Sequence, residues 1–391
     1  MDYNAASLTL HEQKVGKIEV VSKVAVENRD DLSLAYTPGV AQPCREISGL
    51  KENAYRYTAK GNLVAVVTDG TAVLGLGDIG PEAAMPVMEG KAVLFKEFGN
   101  VDAFPICLAS QDVEEIIHSV KMIAPTFGGI NLEDISAPRC VEIEERLNKE
   151  LNIPVFHDDQ HGTAIVTAAA LINALKLVKK EITKVRVVVN GAGAAGGAIV
   201  KMLIDLGVTE ILLCDRKGIL LKNNPENPPH FEALAQLTNP QQKTGDLSDA
   251  MKGADVFIGV SAGGIVSSKM VASMAEKAIV FAMANPTPEI MPEEAKAAGA
   301  AIVGSGRSDF PNQVNNVLAF PGIFRGALDA RAKEINRPMV LAAAYAIAEM
   351  VEENKLTPEY VIPDALDRNV GTQVAQAVKK AAIQSGAAPK D

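Results

Sequence analysis

The sequence predicts an α/β protein of two domains, each built on a mostly parallel sheet. Three observations predict it. Short β-branched runs alternate with Ala-rich stretches along most of the chain. A glycine-rich turn follows one such run, Val185–Val189, and opens an apolar helix. A long Ala- and Leu-rich helix, Thr163–Val178, separates two such blocks. With 391 residues there is room for about two or three domains. The boundary is expected near residue 160, giving 1–160 and 161–391.

In the first block, Leu63–Val67 reads as a strand ending at Thr68-Asp69-Gly70. Asp102–Leu108 is a second, weakened by Pro105. Gly129–Leu132 is a third, ending at Glu133-Asp134, and Pro154–Phe156 a fourth, ending at Asp158-Asp159. Open α/β sheets bind ligands outside the carboxyl ends of their strands, so the acidic ends mark the expected site. In the second block, strands are expected at Val185–Val189, Glu210–Cys214, Asp255–Val260, Ala278–Ala282 and Ala301–Val303. Lys222–Pro229 reads as a polar, Pro-rich loop. From Pro338 to about Ser385 the chain reads as helical and is expected to pack back on the first domain.

Lys plus Arg is 38 and Asp plus Glu 48, a formal net charge of −10. That balance disfavours nucleic acid and anionic membrane as partners. Trp is absent, which disfavours an aromatic stacking platform. Cys44, Cys107, Cys140 and Cys214 form no C-x-x-C, the usage of a reduced, cytoplasmic protein. The first residues lack a basic segment followed by an apolar one, so no secretory signal is expected. The apolar stretches Ala164–Val178 and Met339–Met350 are too short or too interrupted to span a membrane.

The glycine-rich turn is Gly191-Ala192-Gly193-Ala194-Ala195-Gly196. A strand precedes it, a helix follows, and Asp215 closes the next strand, the full context of a dinucleotide site. Asp215 is placed to accept from a ribose 2′-hydroxyl, which favours NAD. Arg216 and Lys217 follow at once and keep NADP as the alternative. Gly259-Val-Ser261-Ala-Gly263 imitates a hydrolase elbow, yet all five histidines precede Ser261. It reads instead as a second glycine-rich turn beside the cofactor. His157 and His161 have the spacing of a zinc helix, but they sit where a strand turns into a helix.

At that position Asp158-Asp159 remains, with Glu133-Asp134 upstream. Adjacent carboxylates repel when bare, and a divalent cation relieves them. Oxygen ligands select a hard ion, Mg²⁺ or Mn²⁺. Ordinary acidic loop ends or helix caps are the alternative for either pair. Two further residues are candidate proton carriers. Lys91 lies in the apolar stretch Pro86–Phe95, where burial is expected to lower its pKa. Tyr36 precedes a Pro-Gly turn.

At these residues the sequence resembles the malic enzymes. The matching blocks are Tyr36-Thr-Pro-Gly-Val40, Thr68–Gly80, Met85–Lys91, Asn131–Ile135, Phe156–Thr163, Gly191–Gly196, Ala284-Asn285-Pro286, and Asn315-Asn316 leading to Phe320-Pro-Gly322. They run in family order over most of the chain, whose length fits the small bacterial type. The resemblance implies oxidative decarboxylation of L-malate to pyruvate and CO₂ in a cytoplasmic homodimer. It implies Glu133, Asp134 and Asp159 as ligands of Mg²⁺ or Mn²⁺, Lys91 as general base and Tyr36 as general acid. By the same analogy Asp158 orients Lys91, and Asn285, Asn316 and more weakly Asn315 contact substrate. Larger relatives carry an Arg that clamps a malate carboxylate where this chain has Ala72; Arg139 and Lys60 are the candidate replacements. Two other readings stay open: a malolactic conversion of malate to lactate with retained cofactor, and a non-catalytic dinucleotide sensor on the same fold.

Overall fold

The apolar run Leu63–Thr68 forms β1 and is buried from Val64 onward. Around it lie β2 (Asp102–Cys107), β3 (Gly129–Leu132) and β4 (Val155–His157), in the order β2-β1-β3-β4 and all parallel. The structure, a computed structural model, describes residues 2–389. Pro105 sits in β2, an edge strand, where its missing N–H is tolerated. The second sheet contains β5 (Arg186–Asn190), β6 (Glu210–Asp215), β7 (Gly218–Ile219), β8 (Val256–Gly259), β9 (Ile279–Ala282) and β10 (Ile302–Ser305). Their order is β10-β9-β8-β5-β6-β7, parallel except for the β6–β7 pair. The chain leaves β5 for β6 on one side and returns to β8 on the other. That reversal puts the topological switch point beside β5.

The linking helix spans Asp158–Val178, five residues earlier than the sequence suggests. Asp158 and Asp159, expected in a turn, occupy its first turn, where the helix dipole favours negative charge. This helix is long and apolar enough to cross a membrane, but its apolar window is 72% buried. It is the core helix joining the two sheets. The C-terminal stretch is two helices, Arg337–Glu349 and Arg368–Ser385, rather than one continuous run. The Phe320–Asp329 and Arg368–Ser385 helices pack back on the Pro81–Gly99 helix of the first half, and Arg337–Glu349 packs against Arg368–Ser385 and Asp158–Val178. The Phe95 ring lies 4.7 Å from Phe320 and 5.3 Å from Phe324, and Arg368 pairs with Glu97 at 2.6 Å.

The N-terminal segment is different. It carries three helices, Tyr3–Lys14, Arg29–Ala35 and Ala41–Gly49, yet no residue from Asp2 to Leu63 is buried. Tyr3, Leu8, Val20, Val21 and Leu34 are largely exposed apolar side chains on it.

All four cysteines are free thiols. Burial pushes Cys140 and Cys214 up to about 12, so neither supplies thiolate at neutral pH. Titration of the native protein with an aromatic disulfide at pH 8 is expected to modify the exposed Cys44 and spare Cys140 and Cys214. Rapid modification of four thiols without denaturant would contradict this packing.

Candidate active site

Three strand ends of the first sheet converge. Asp69 follows β1, Glu133-Asp134 follow β3, and Asp158-Asp159 follow β4. Lys91 enters from the Pro81–Gly99 helix, almost fully buried. Its Nζ lies 2.8 Å from Glu133 Oε1 and 2.7 Å from Asp158 Oδ2, and 4.3 Å from the centre of the Phe320 ring. Asn316 Nδ2 donates to the same Asp158 oxygen at 2.5 Å, and Asn131 Nδ2 to Glu133 Oε2 at 2.9 Å. The Asp134 backbone N–H donates to Asp159 Oδ2 at 2.9 Å.

Burial alone would lower Lys91, as the sequence suggests. Here Asp158, Glu133 and Asp159 outweigh it and hold the ammonium above its ordinary value. Burial raises the carboxylates, with Asp158 reaching about 7 against the opposing charge of Lys91. Burial and the neighbouring Glu133 and Asp159 push Asp134 up to about 9. Glu133, Asp134 and Asp159 each offer an oxygen within 4.8 Å of the others. Asp134 Oδ2 is buried with no hydrogen-bond partner among the described residues. An oxygen-only donor set with an orphaned carboxylate oxygen fits a hard divalent cation.

The second sheet supplies the other half. Gly191 has a φ of +116°, and a Cβ there would lie 2.7 Å from Val260 O. At Gly196 a Cβ would lie 1.7 Å from Gly191 O, so a side chain has no room. Gly193 faces open space at the N-terminus of the Ala194–Asp205 helix, whose first N–H groups have no side-chain cap. Uncapped N–H groups at a helix start are the kind of donors that suit a phosphate. Gly196→Ala is expected to disrupt the turn itself. Gly193→Ala is expected to fold normally while dinucleotide affinity falls about tenfold, an overpacking cost of ~1–3 kcal/mol. Quenching of bound NADH fluorescence with parallel melting curves separates the two; equal behaviour would refute the distinction. Ala192, Ala194 and Ala195 complete the loop, and Asp215 stands at the end of β6 with its carboxylate accepting from Lys217 N–H at 2.7 Å.

Ser261 sits beside this loop. Its hydroxyl accepts from Asn190 Nδ2 at 2.6 Å, and no histidine bonds it among the described residues. Glu289, missed in the sequence, holds this region together. It is fully buried, accepting from Ser261 N–H at 3.0 Å and from Ala284 N–H at 3.1 Å. It thereby ties the Ser261 turn to the turn carrying Asn285. No local pattern marks it, because both partners come from other turns. A Cβ at Gly306 would lie 2.7 Å from Asn285 Nδ2, so the absent side chain leaves room for that amide.

Several expectations need correction. Arg139 does not replace the missing clamp. Its guanidinium binds Asp69 Oδ2 (2.7 Å), Gln111 O (2.6 Å), Thr71 Oγ1 (2.9 Å) and Ser136 Oγ (3.0 Å), bracing the loop after β1. Lys60 donates to Ala124 O and Phe127 O and is equally engaged. Asn315 caps the short 316–318 turn by accepting from Val317 N–H at 3.0 Å, whereas Asn316 reaches the Lys91 cluster. His161 bonds Glu144 at 2.9 Å, and the three-carboxylate group contains neither His157 nor His161, in keeping with the expectation against a zinc helix there. Tyr36 is 69% exposed, and its hydroxyl has no hydrogen bond among the described residues. Within one chain the structure does not bond it to the cluster.

Family models for the malic enzyme N-terminal domain and the malic enzyme NAD-binding domain match residues 15–148 and 160–383. The chain belongs to the malic enzyme family. It is 60% identical to a bifunctional malic/malolactic enzyme of Bacillus subtilis over 99% of this chain and 95% of that protein. It is also 60% identical to an NAD-dependent malic enzyme of Geobacillus stearothermophilus, over 96% of this chain and 78% of the relative. A solved malic enzyme from Pyrococcus horikoshii superposes with a TM-score of 0.95 at 50% identity, covering 99% of this chain and 92% of that one. Lys91, Glu133 and Asp134 fall within the first of these matches and the Gly191–Gly196 turn within the second.

Proposed function

We propose that the protein oxidatively decarboxylates L-malate to pyruvate and CO₂ with reduction of a nicotinamide dinucleotide. The observation that carries this is Lys91, bracketed by Glu133 and Asp158 beside the orphaned oxygen of Asp134. Glu133, Asp134 and Asp159 would hold Mg²⁺ or Mn²⁺, and the glycine turn Gly191–Gly196 the dinucleotide. When bound, the cation supplies Lewis-acid polarisation of the substrate's oxygens and the dinucleotide accepts hydride. Lys91, once its own proton has passed to the Asp158 carboxylate it bonds, removes the C2 hydroxyl proton. Asp158, held by Lys91 and Asn316, fixes the lysine and carries its charge. Asn285 and Asn316 contact the substrate carboxylates, and with Arg139 and Lys60 engaged elsewhere, no arginine clamp replaces Ala72 in this reading. Tyr36 returns a proton to C3 after CO₂ leaves.

Tyr36 reaches that position from a second copy of the chain. It lies on the unburied N-terminal segment, whose Arg29–Ala35 and Ala41–Gly49 helices, among the described residues, hydrogen-bond only within their own neighbourhood. Accessible apolar side chains along this arm support burial against a partner. We read the protein as a homodimer with shared sites. The domain division near residue 160 and a reducing, cytoplasmic setting for four free thiols belong to the same reading.

The Bacillus subtilis relative is a bifunctional malic/malolactic enzyme, which favours one second reading, a malolactic conversion at the same site. Asp215 favours NAD. Comparing kcat/KM with NAD and NADP, while counting pyruvate and lactate, tests both points. Pyruvate equal to NADH supports the oxidative reading with NAD. Lactate without NADH favours the malolactic one, and a clear NADP preference overturns the role given to Asp215.

A further inference from the structure

A cavity of about 570 Å³ lies between the Arg139–Glu150, Asp158–Val178 and Ala194–Asp205 helices and the start of Arg337–Glu349. It belongs to neither the carboxylate cluster nor the dinucleotide turn. Val141, Phe156, Ala164, Ala198, Met202 and Val340 form an apolar part of its wall, and most of the rest of the lining is polar or charged. Its size is that of a small-molecule site.

The polar groups are unevenly satisfied. Glu144 is buried and accepts from His157 N–H (2.8 Å), Gln160 Nε2 (3.2 Å) and His161 Nε2 (2.9 Å). Asp205 pairs with Arg337. Glu145, Lys149, Lys201, Glu334 and Arg337 are exposed at the rim. Lys201 has no ion pair, and His161 Nδ1 no hydrogen bond, among the described residues. Both line the cavity.

We propose that this cavity binds a small monocarboxylate with an apolar chain, its carboxylate at Lys201 and His161, and that Glu144 carries its occupancy to the active site. The path is short. His157 is the N-cap of the Asp158–Val178 helix, which has no side-chain cap of its own. Glu144 instead holds the His157 backbone from a neighbouring helix. The next two residues are Asp158, bonded to Lys91 and Asn316, and Asp159, bonded to the Asp134 N–H. A ligand that engages His161 draws on the same Glu144 that sets this turn. It also bridges helices of both halves of the chain. The regulatory half of this proposal rests on the malic enzyme reading; the binding half does not.

Octanoate is the probe, titrated calorimetrically into the full-length protein. One site per chain is expected. Lys201→Ala weakens it about tenfold or more, the worth of a charge-assisted hydrogen bond. Val141→Trp, which fills the cavity from one wall, removes it. Both variants keep basal malate turnover within about twofold, as changes remote from the chemistry do. Octanoate shifts calorimetric Mn²⁺ affinity about fivefold or more in the unaltered protein, the lower range of allosteric coupling, and not in Val141→Trp. No octanoate binding at millimolar concentrations, or equal binding by all three proteins, overturns the site. Binding with unchanged Mn²⁺ affinity overturns the link through Glu144. Calorimetry needs no turnover, so a protein inert toward malate fails the functional reading and leaves the binding arm readable.

Discussion

Lys91→Ala lowers malate turnover about 10²–10⁴-fold, the usual worth of one general base, while Mn²⁺ binding survives. The two halves of this result belong together. Lys91 lies within 2.8 Å of Glu133 and Asp158, so it is the resident cation of an acidic cluster as well as a candidate base. Removing it leaves Glu133 and Asp158 without their compensating charge, a loss of about 3–5 kcal/mol for a buried pair broken on one side. A bound divalent cation offsets part of that loss. The variant is therefore expected to melt lower without metal and to recover more stability from Mn²⁺ than the unaltered protein does. Melting curves with and without Mn²⁺, beside steady-state rates, check it. Parallel collapse of turnover and Mn²⁺ affinity would make Lys91 a structural cation and remove it from the chemistry.

Tyr36→Phe and Lys91→Ala, each nearly inactive alone, restore activity when combined in one dimer. If Tyr36 serves the partner's site, a hybrid dimer contains one intact site and one doubly altered site. Random mixing makes half of the dimers hybrid, so about a quarter of unaltered activity returns. If Tyr36 serves its own chain, every site in the hybrid carries one lesion and nothing returns. Co-expression with two different affinity tags isolates the hybrid and makes the outcome countable. Tyr36→Phe alone is also expected to slow pyruvate formation more than hydride transfer, since its proton is needed only after CO₂ leaves. Equal loss in both steps would remove that role.

The acidic strand ends were legible because they sit directly after apolar strands: Glu133-Asp134 after β3 and Asp158-Asp159 after β4. The glycine-rich turn was legible for the same reason, with Gly196 forced by the Gly191 carbonyl inside one short loop, although the contact at Gly191 comes from Val260 outside it. What sequence could not provide is long-range pairing. The sign of the Lys91 shift depends on Asp158, 67 residues away, and reverses what burial alone implies. Arg139 looked free for a substrate carboxylate until the fold placed Asp69 against it. Glu144 and Glu289 are ordinary acids in sequence, and only the fold surrounds them with backbone and side-chain donors. The helix start at Asp158 was read late because an Asp pair looks like a loop, although a first turn welcomes that charge.

The central claim is that the Glu133–Asp134–Asp159 group and Lys91 perform a metal-dependent oxidative decarboxylation with the dinucleotide of the second sheet. The most direct test follows NADH absorbance with purified protein, L-malate, Mn²⁺ and NAD, then counts pyruvate, and repeats the run with a chelator. NADH and pyruvate are expected in equal amounts, both abolished by the chelator and restored by Mn²⁺. Dinucleotide binding with neither product, or turnover indifferent to the chelator, would contradict it.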